Sequence, residues 1–188
     1  MNGSERTKED LANSIKEIMA IKSLDKITVK EIVDNCGMTR QTFYRYFHDK
    51  YDLVNWYFDK LAQQTIRKMG VSLTLQEGLI KKFKLLKKEK GFFTEAFKSR
   101  DCNSLFDYDL QLITEYYTNL ISSKKNEQLD TELQFLLDMY CLGSMHMMLK
   151  WILDGMKIEP EEIVSFLING MPEKLKPYLV FRNSDTFC

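Results

Sequence analysis

Three observations predict an all-α chain with a small N-terminal unit and a larger C-terminal bundle. Two short helix signals flank a glycine between Ile27 and Lys50, apolar residues recur at three- and four-residue spacing through most of the rest, and no alternating run is long enough to suggest a sheet. The 188 residues are 44% hydrophobic and 12% aromatic, enough to bury a substantial core. No internal repeat, proline-rich linker or low-complexity segment interrupts the pattern. The predicted division is a three-helix unit over residues 1–54 and a helical bundle over residues 55–188.

Met1 to Thr7 is polar and expected to fray, after which Leu11, Ile15, Ile18 and Met19 mark an amphipathic helix ending near Lys22. Ser23 to Lys26 connects. Thr28 with Glu31 three residues on forms a capping box, and Val29, Ile32, Val33 and Cys36 continue at helical spacing until Gly37. Thr39 caps a second helix in which Phe43 and Phe47 share one face while Arg40, Gln41, Tyr44 and Arg45 occupy the other. This is a helix-turn-helix.

In that unit the second helix carries its N-terminal residues to base edges in the major groove of double-stranded DNA. Arg40 can donate a bidentate pair to guanine, Gln41 can pair with adenine, and Thr42 and the Tyr44 ring can touch a thymine methyl. Helix N-termini at Thr28 and Thr39 offer N–H groups to phosphates, and Lys50 adds a cation. An idle solvated face would favour Lys and Glu. The combination of arginines, an amide and hydroxyl-tipped aromatics argues instead for DNA.

Ile27-Thr28-Val29, Gly37-Met38-Thr39, Thr42-Phe43-Tyr44-Arg45-Tyr46-Phe47 and Asp49-Lys50-Tyr51-Asp52-Leu53 together resemble the TetR/AcrR family of bacterial transcription regulators, over about the first third of the chain. The resemblance implies a homodimer with an N-terminal DNA-binding domain and a variable C-terminal domain. It also implies that Thr28, Thr39, Tyr44, Tyr46 and Lys50 contact the DNA backbone while Arg40, Gln41, Thr42 and Arg45 read bases. Tyr46 departs from the family's frequent His and, by its spacing from Phe43, lies at the edge of the buried face.

Asp49 is predicted to cap a long helix carrying Leu53, Val54, Trp56, Tyr57, Phe58, Leu61 and Ile66 and closed by Gly70. Leu73 to Lys90 forms the next, with Leu75, Leu79, Phe83 and Leu86 inward and Lys81, Lys82, Lys84, Lys87, Lys88 and Lys90 mostly outward as a solvated basic face. Gly91 interrupts, Phe92 to Lys98 makes a short helix, and Ser99 to Asn103 connects. Ser104 opens a helix through Leu105, Tyr108, Leu112, Tyr116 and Leu120 that stops within Ser122 to Gln128.

Leu129 to Leu153 carries two apolar stripes, one through Leu133, Leu137, Tyr140, Met148 and Ile152 and one through Phe135, Met139, Leu142 and Leu149. Asp138, His146 and Lys150 exclude a membrane span, and two stripes need two partners. Glu159-Pro160 opens a last amphipathic helix with Ile163, Phe166, Leu167 and Met171. A dimer interface is expected at Leu142, Gly143, Met145, Leu149, Ile163 and Leu167, in agreement with the four-helix dimer bundle that the resemblance implies.

Lys+Arg and Asp+Glu are equal at 27 each, so a nucleic-acid footprint must be local, and Arg40, Arg45 and Lys50 provide one. Four cysteines, Cys36, Cys102, Cys141 and Cys188, form no CxxC, and no secretory signal precedes them, so a cytoplasmic setting is expected. Cys36 and Cys141 fit core positions, and Cys102 and Cys188 are expected at the surface. The two histidines, His48 and His146, lack ligand-spaced partners, so neither a metal nor another cofactor is expected. No phosphate loop, nucleophile elbow or HExxH marks an enzyme.

The effector is read two ways. Phe93, Phe97, Tyr108, Tyr116, Tyr140, His146 and Trp151 could line a pocket for a small molecule, although each alone fits a packing role. The stretch Leu85 to Leu120 is similar to a subgroup related to the regulator of bacterial dihydroxyacetone kinase operons, which implies a kinase-like protein partner instead. A deep, partly apolar cavity would favour the first, and a filled core with an exposed apolar patch the second.

Overall fold

The computed structural model describes residues 3–101 and 103–180; Cys102 and Cys188, expected at the surface, lie outside them. Among the described residues ten α-helices follow in order: α1 Gly3–Met19, α2 Val29–Asn35, α3 Arg40–Tyr44, α4 Lys50–Ala62, α5 Leu75–Lys88, α6 Lys90–Lys98, α7 Leu105–Lys125, α8 Thr131–Leu153, α9 Pro160–Asn169 and α10 Lys176–Leu179. Among the described residues the one strand-like pairing is an isolated bridge between Met69 and Leu73. A boundary at residues 54 and 55 falls inside α4.

The N-terminal head forms as its local chemistry dictates. Leu11, Ile15 and Met19 of α1 are buried together with Ile32, Val33, Phe43, Phe47, Leu53 and Val54. The capping box is complete, with Glu31 N–H on Thr28 Oγ1 at 3.3 Å and Thr28 N–H on Glu31 Oε2 at 2.8 Å. Gly37 ends α2 at φ 67°, and Met38 N–H returns 2.8 Å to the Val33 carbonyl. That is a Schellman closure, in which only glycine takes the left-handed angle without strain.

The structure corrects several expectations about where helices start and stop. The polar N-terminal residues are helical from Gly3, with Glu5 favourably placed in the first turn, and α1 stops at Met19 as Ala20 and Ile21 tighten onto Glu17 and Ile18. The helix from Lys50 ends at Ala62 instead of running to Gly70. Thr65 Oγ1 bonds back 3.0 Å to the Leu61 carbonyl, and a single 3₁₀ turn, Ile66–Lys68, then buries Ile66 and Met69 completely. Glu89, not Gly91, breaks the chain between α5 and α6, at φ −110° and ψ 40°, and Gly91 lies within α6. The end of α7, by contrast, falls within Ser122 to Gln128 as expected, at Lys125, and the chain closes at Asn126 in the left-handed region.

The body is assembled from α5 on α9, α6 on α8, and α7 on both α8 and α10. In α7 the fully buried row is Leu105, Asp109, Ile113, Tyr117 and Ile121, while the predicted Tyr108, Leu112, Tyr116 and Leu120 flank it half-buried. The apolar pattern misses this row because a carboxylate sits in it. Asp109, 0% exposed, receives Lys82, 5% exposed, at 2.8 and 2.6 Å. Lys82 therefore leaves the basic face to which its neighbours belong.

The inner stripe of α8 is buried as expected, and the second stripe faces out: Phe135 is 66% exposed, Met139 52% and Leu142 48%. Phe166 on α9 adds another at 55%. Met145 and Ile163, expected at the dimer interface, are instead core residues at 3% and 5% exposure. Met145 lies four residues after Cys141 and three before Met148, both buried, so helical spacing turns it inward. No helix among the described residues is long and apolar enough to cross a membrane.

Candidate nucleic-acid interface

Thr39 starts α3 by accepting the Thr42 N–H at 3.1 Å, and Phe43 and Phe47 anchor it from below with ring centroids 5.8 Å apart. Two large rings on one face leave the other to solvent. Arg40, Gln41 and Arg45 are exposed and make no side-chain hydrogen bond or ion pair among the described residues, and Tyr44 is 57% exposed with its ring edge on Phe43. Four groups able to donate to, accept from or stack on a base thus stand together on one short helix.

The remaining predicted contacts are partly committed elsewhere. The Thr42 hydroxyl lies 3.0 Å from Thr39 Oγ1, so each of these two threonines already has a partner. Thr28 donates its hydroxyl to Glu31 Oε2 at 2.9 Å, and Glu31 also accepts Lys22 at 2.6 Å. The Lys22 hydrogen bond, then those from Thr28, hold the Glu31 carboxyl down at about 2. Tyr46 is half-buried against the core, with the Lys8 ammonium 6.0 Å from its ring centre.

Lys50 is the clearest departure from a free cation. Its ammonium donates to the carbonyls of Asp25 at 2.7 Å and Ile27 at 2.8 Å, tying the loop before α2 to the first turn of α4. Burial lowers its pKa, with Asp25 pulling the other way. One of its three protons is left for a phosphate.

Several polar groups that fix the head internally and to the body carry no signal in the sequence. Ser14, within the apolar run of α1, donates 2.6 Å to the Ile32 carbonyl and accepts Asn35, seating α2 on α1. Ser99 donates to Asp25 at 2.6 Å, Asn55 donates to the Asn103 carbonyl at 3.1 Å, and Tyr57 donates to Glu89 at 2.5 Å. The two aromatic contacts of Phe58, with Phe93 and Tyr108, are edge-on. Burial raises the Cys36 thiol and lifts Cys141 to about 11, which keeps both protonated.

The expected pocket residues line no common cavity. Phe93 and Phe97 are core, Tyr116 donates to the Met69 carbonyl at 2.6 Å, Tyr140 to Leu167 at 3.0 Å, and Trp151 to Ile158 at 2.8 Å. His146 is exposed beside Phe106. Backbone carbonyls thus supply the partners that a ligand was expected to provide. The body's interior holds a cavity of about 30 Å³ beside Lys82, Tyr117, Tyr140 and Ser144. A cleft of about 340 Å³, open and lined by His48, Asp49, Asp52, Asn55, Ser104, Asp107 and Tyr108 among others, separates α4 from α7.

Comparison with known proteins agrees with this geometry. Residues 11–56 match the model for bacterial regulatory proteins of the tetR family, and residues 74–172 match a transcriptional regulator C-terminal region. The chain is 26% identical over 91 residues to the HTH-type dhaKLM operon transcriptional activator DhaS of Lactococcus lactis, a match covering 48% of this chain and 49% of the relative, about half its length. Among solved structures, the dihydroxyacetone kinase operon activator DhaS superposes with a TM-score of 0.67 at 19% identity, covering 92% of this chain and 98% of that one. The fatty acid degradation regulator FadR of Bacillus halodurans gives 0.57 at 17%, covering 91% and 98%. At these identities the likeness is one of fold.

Proposed function

Since the chain belongs to the TetR family of bacterial regulatory proteins and is a DNA-binding transcriptional regulator of that family, we propose that it acts as a two-fold homodimer reading a palindromic operator through α3. The observation that carries this reading is the outward face of α3, where Arg40, Gln41 and Arg45 stand exposed and unpaired above a buried phenylalanine pair. Arg40, Gln41, Thr42 and Arg45 are the proposed base readers, and Thr28, Thr39, Tyr44, Tyr46 and Lys50 the proposed backbone contacts. The protein would work in the cytoplasm, where its operator lies, and no catalytic step is assigned to it.

Dimerisation is assigned to the outer stripe of α8 with α9. Phe135, Met139, Leu142 and Phe166 are large apolar groups left exposed around Gly143, where an added Cβ would meet nothing within 4 Å. Such a face is suited to a second copy approaching closely. The test of the whole reading is selection of bound sequences from a random DNA pool. Palindromic sites with half-sites one helical turn, about 34–36 Å, or a multiple apart are expected, and recovery of no enriched sequence would refute it.

For the switch, the filled body supports a protein partner over a small molecule. Metabolite pockets run to about 300–1,000 Å³ and are mostly apolar; the interior cavity here is about 30 Å³, room for a water or two, and the cleft of about 340 Å³ between α4 and α7 is open and lined mainly by polar and acidic groups. The dihydroxyacetone kinase operon in the name of the superposed DhaS structure makes a kinase-like protein the first partner to try. Operator affinity measured with a metabolite panel and with that protein separates the readings. A shift caused by a metabolite alone would restore the pocket.

A further inference from the structure

Glu89 occupies the one residue between α5 and α6 and belongs to both, since its N–H donates to Leu85 and its carbonyl accepts Phe93 N–H. Its side chain leaves the body. Oε1 accepts the Tyr57 hydroxyl of α4 at 2.5 Å, and Oε2 lies 2.7 Å from the Lys16 ammonium of α1. Lys16 closes the triangle, donating to the Tyr57 hydroxyl at 3.0 Å and lying 4.4 Å from that ring's centre. The Tyr57 ring in turn stands edge-on to Phe92 of α6 at 5.4 Å.

The flanking residues of the corner reach the opposite way. Lys90 donates 2.9 Å to the carbonyl of Gly155, in the turn after α8, and Lys87 pairs with Glu159, the residue that opens α9, at 2.7 Å. One short corner therefore holds the head on one side and the junction of α8 with α9 on the other. A change in the angle between α5 and α6 cannot leave both sets of contacts in place.

We propose that the corner Lys87–Lys90 couples the α8–α9 end of the body to the tilt of the DNA-binding head, with Lys16 and Tyr57 as the receiving groups. The proposal rests on the DNA-binding reading, and it makes these side chains positioning residues with no contact to DNA. Hydrogen bonds fix direction where apolar contact tolerates sliding, so the triangle sets the angle at which α3 is presented. With it intact, two heads meet two half-sites already oriented. With it cut, each must be oriented on binding.

The test uses the full-length protein with Tyr57→Phe, which removes the hydroxyl from the triangle, with Glu89→Gln, which keeps an acceptor but removes the charge facing Lys16, and with Lys90→Met, which removes the tie to Gly155. Operator affinity is measured at a temperature where circular dichroism shows every variant folded, alongside amide exchange in the last turn of α1. Each variant is expected to bind operator roughly three- to tenfold more weakly, the Tyr57→Phe/Glu89→Gln double no more weakly than the worse single, with faster exchange in α1. Ile121→Val, a fully buried core change in the C-terminal part of α7 and outside the corner and its contacts, controls for lost stability and should leave affinity unchanged. Wild-type affinity in Tyr57→Phe and Glu89→Gln would overturn the coupling. If the wild type binds no DNA, the functional reading fails on its own, and the coupling is then decided by exchange: faster in Lys90→Met upholds it, unchanged overturns it.

Discussion

Removing Lys82 while leaving Asp109 is the most demanding perturbation the body can be given without touching the DNA-binding head. The carboxylate is 0% exposed and its partner 5%, and the ammonium spans both oxygens at 2.6 and 2.8 Å. Burial lifts the Asp109 carboxyl above its ordinary value, with Lys82 opposing that rise. Breaking a buried pair from one side costs about 3–5 kcal/mol, because the remaining charge keeps its desolvation penalty and loses its partner. At about 2–4 °C per kcal/mol for a chain of this size, Lys82→Met should lower Tm by about 6–20 °C. Replacing both, Lys82→Met with Asp109→Leu, should recover most of the loss or exceed wild type, since an apolar pair needs no compensation. The assay is thermal unfolding by circular dichroism at one fixed protein concentration, so that any dimer linkage is constant. A second reading comes from pH. Without Lys82, Asp109 has a folded pKa above its unfolded one, so its contribution is most favourable below the unfolded pKa and is lost as pH rises through the folded value. The deficit of Lys82→Met should therefore shrink in acid. A single variant within about 1 kcal/mol of wild type, or a double as unstable as the sum of the singles, would refute the buried-pair argument.

Three further outcomes are expected. Gln41→Ala should relax preference at one base of each half-site at a cost of about 1–3 kcal/mol, whereas Lys50→Met, by freeing the Asp25 and Ile27 carbonyls, should lower Tm as well as weaken all sequences alike; binding-site selection and a melt of each variant check this. Glu31 is held at about 2, so its stabilising contribution is complete above the unfolded carboxylate pKa and is lost as pH falls from there through about 2; acid titration of Glu31→Gln should show a shallower loss than wild type. Phe166→Glu should give a folded monomer in light scattering, because that ring is 55% exposed, while Met145→Glu, at 3%, should fail to fold.

What could be read from the sequence was what neighbours in sequence decide. The Thr28 and Thr39 caps, the Gly37 turn, the Phe43 and Phe47 anchor and the outward arginines all depend on groups within a few residues of one another, and each stands in the structure as its spacing implied. The misplaced features depend on distant partners. Counting apolar residues along α7 leads from Leu105 to Tyr108, Leu112, Tyr116 and Leu120, whereas the buried row continues from Leu105 through Asp109, and nothing local announces that Lys82, 27 residues earlier, neutralises that carboxylate. Met145 was assigned outward for a related reason: α8 is apolar around most of its circumference, so pattern alone does not say which side meets the rest of the chain. The groups joining head to body were invisible for the same cause, with separations of 41 residues for Lys16 and Tyr57 and 74 for Asp25 and Ser99.

The contrast between the body and its joint with the head bears on where a regulator of this shape can yield. Inside the body, α7 on α8 and α5 on α9 bury mostly apolar side chains around a cavity of about 30 Å³, and such a core resists continuous deformation because every displacement opens space or forces overlap. At the joint the aromatic contacts are edge-on, with centroids 5.4 Å apart for Tyr57 with Phe92 and 6.3 Å for Phe58 with Phe93, and they change little over a small rotation. What resists rotation there is a short set of polar ties through Glu89, Ser99 and Asn103. On the proposed coupling, a bundle hinged on directional bonds would move the head as a unit, and a small change of angle at the corner would be carried along α4 and α1 to α3. In the proposed dimer two α3 helices would meet successive turns of one duplex at fixed spacing, so a tilt too small to disturb any core residue would take both out of register at once.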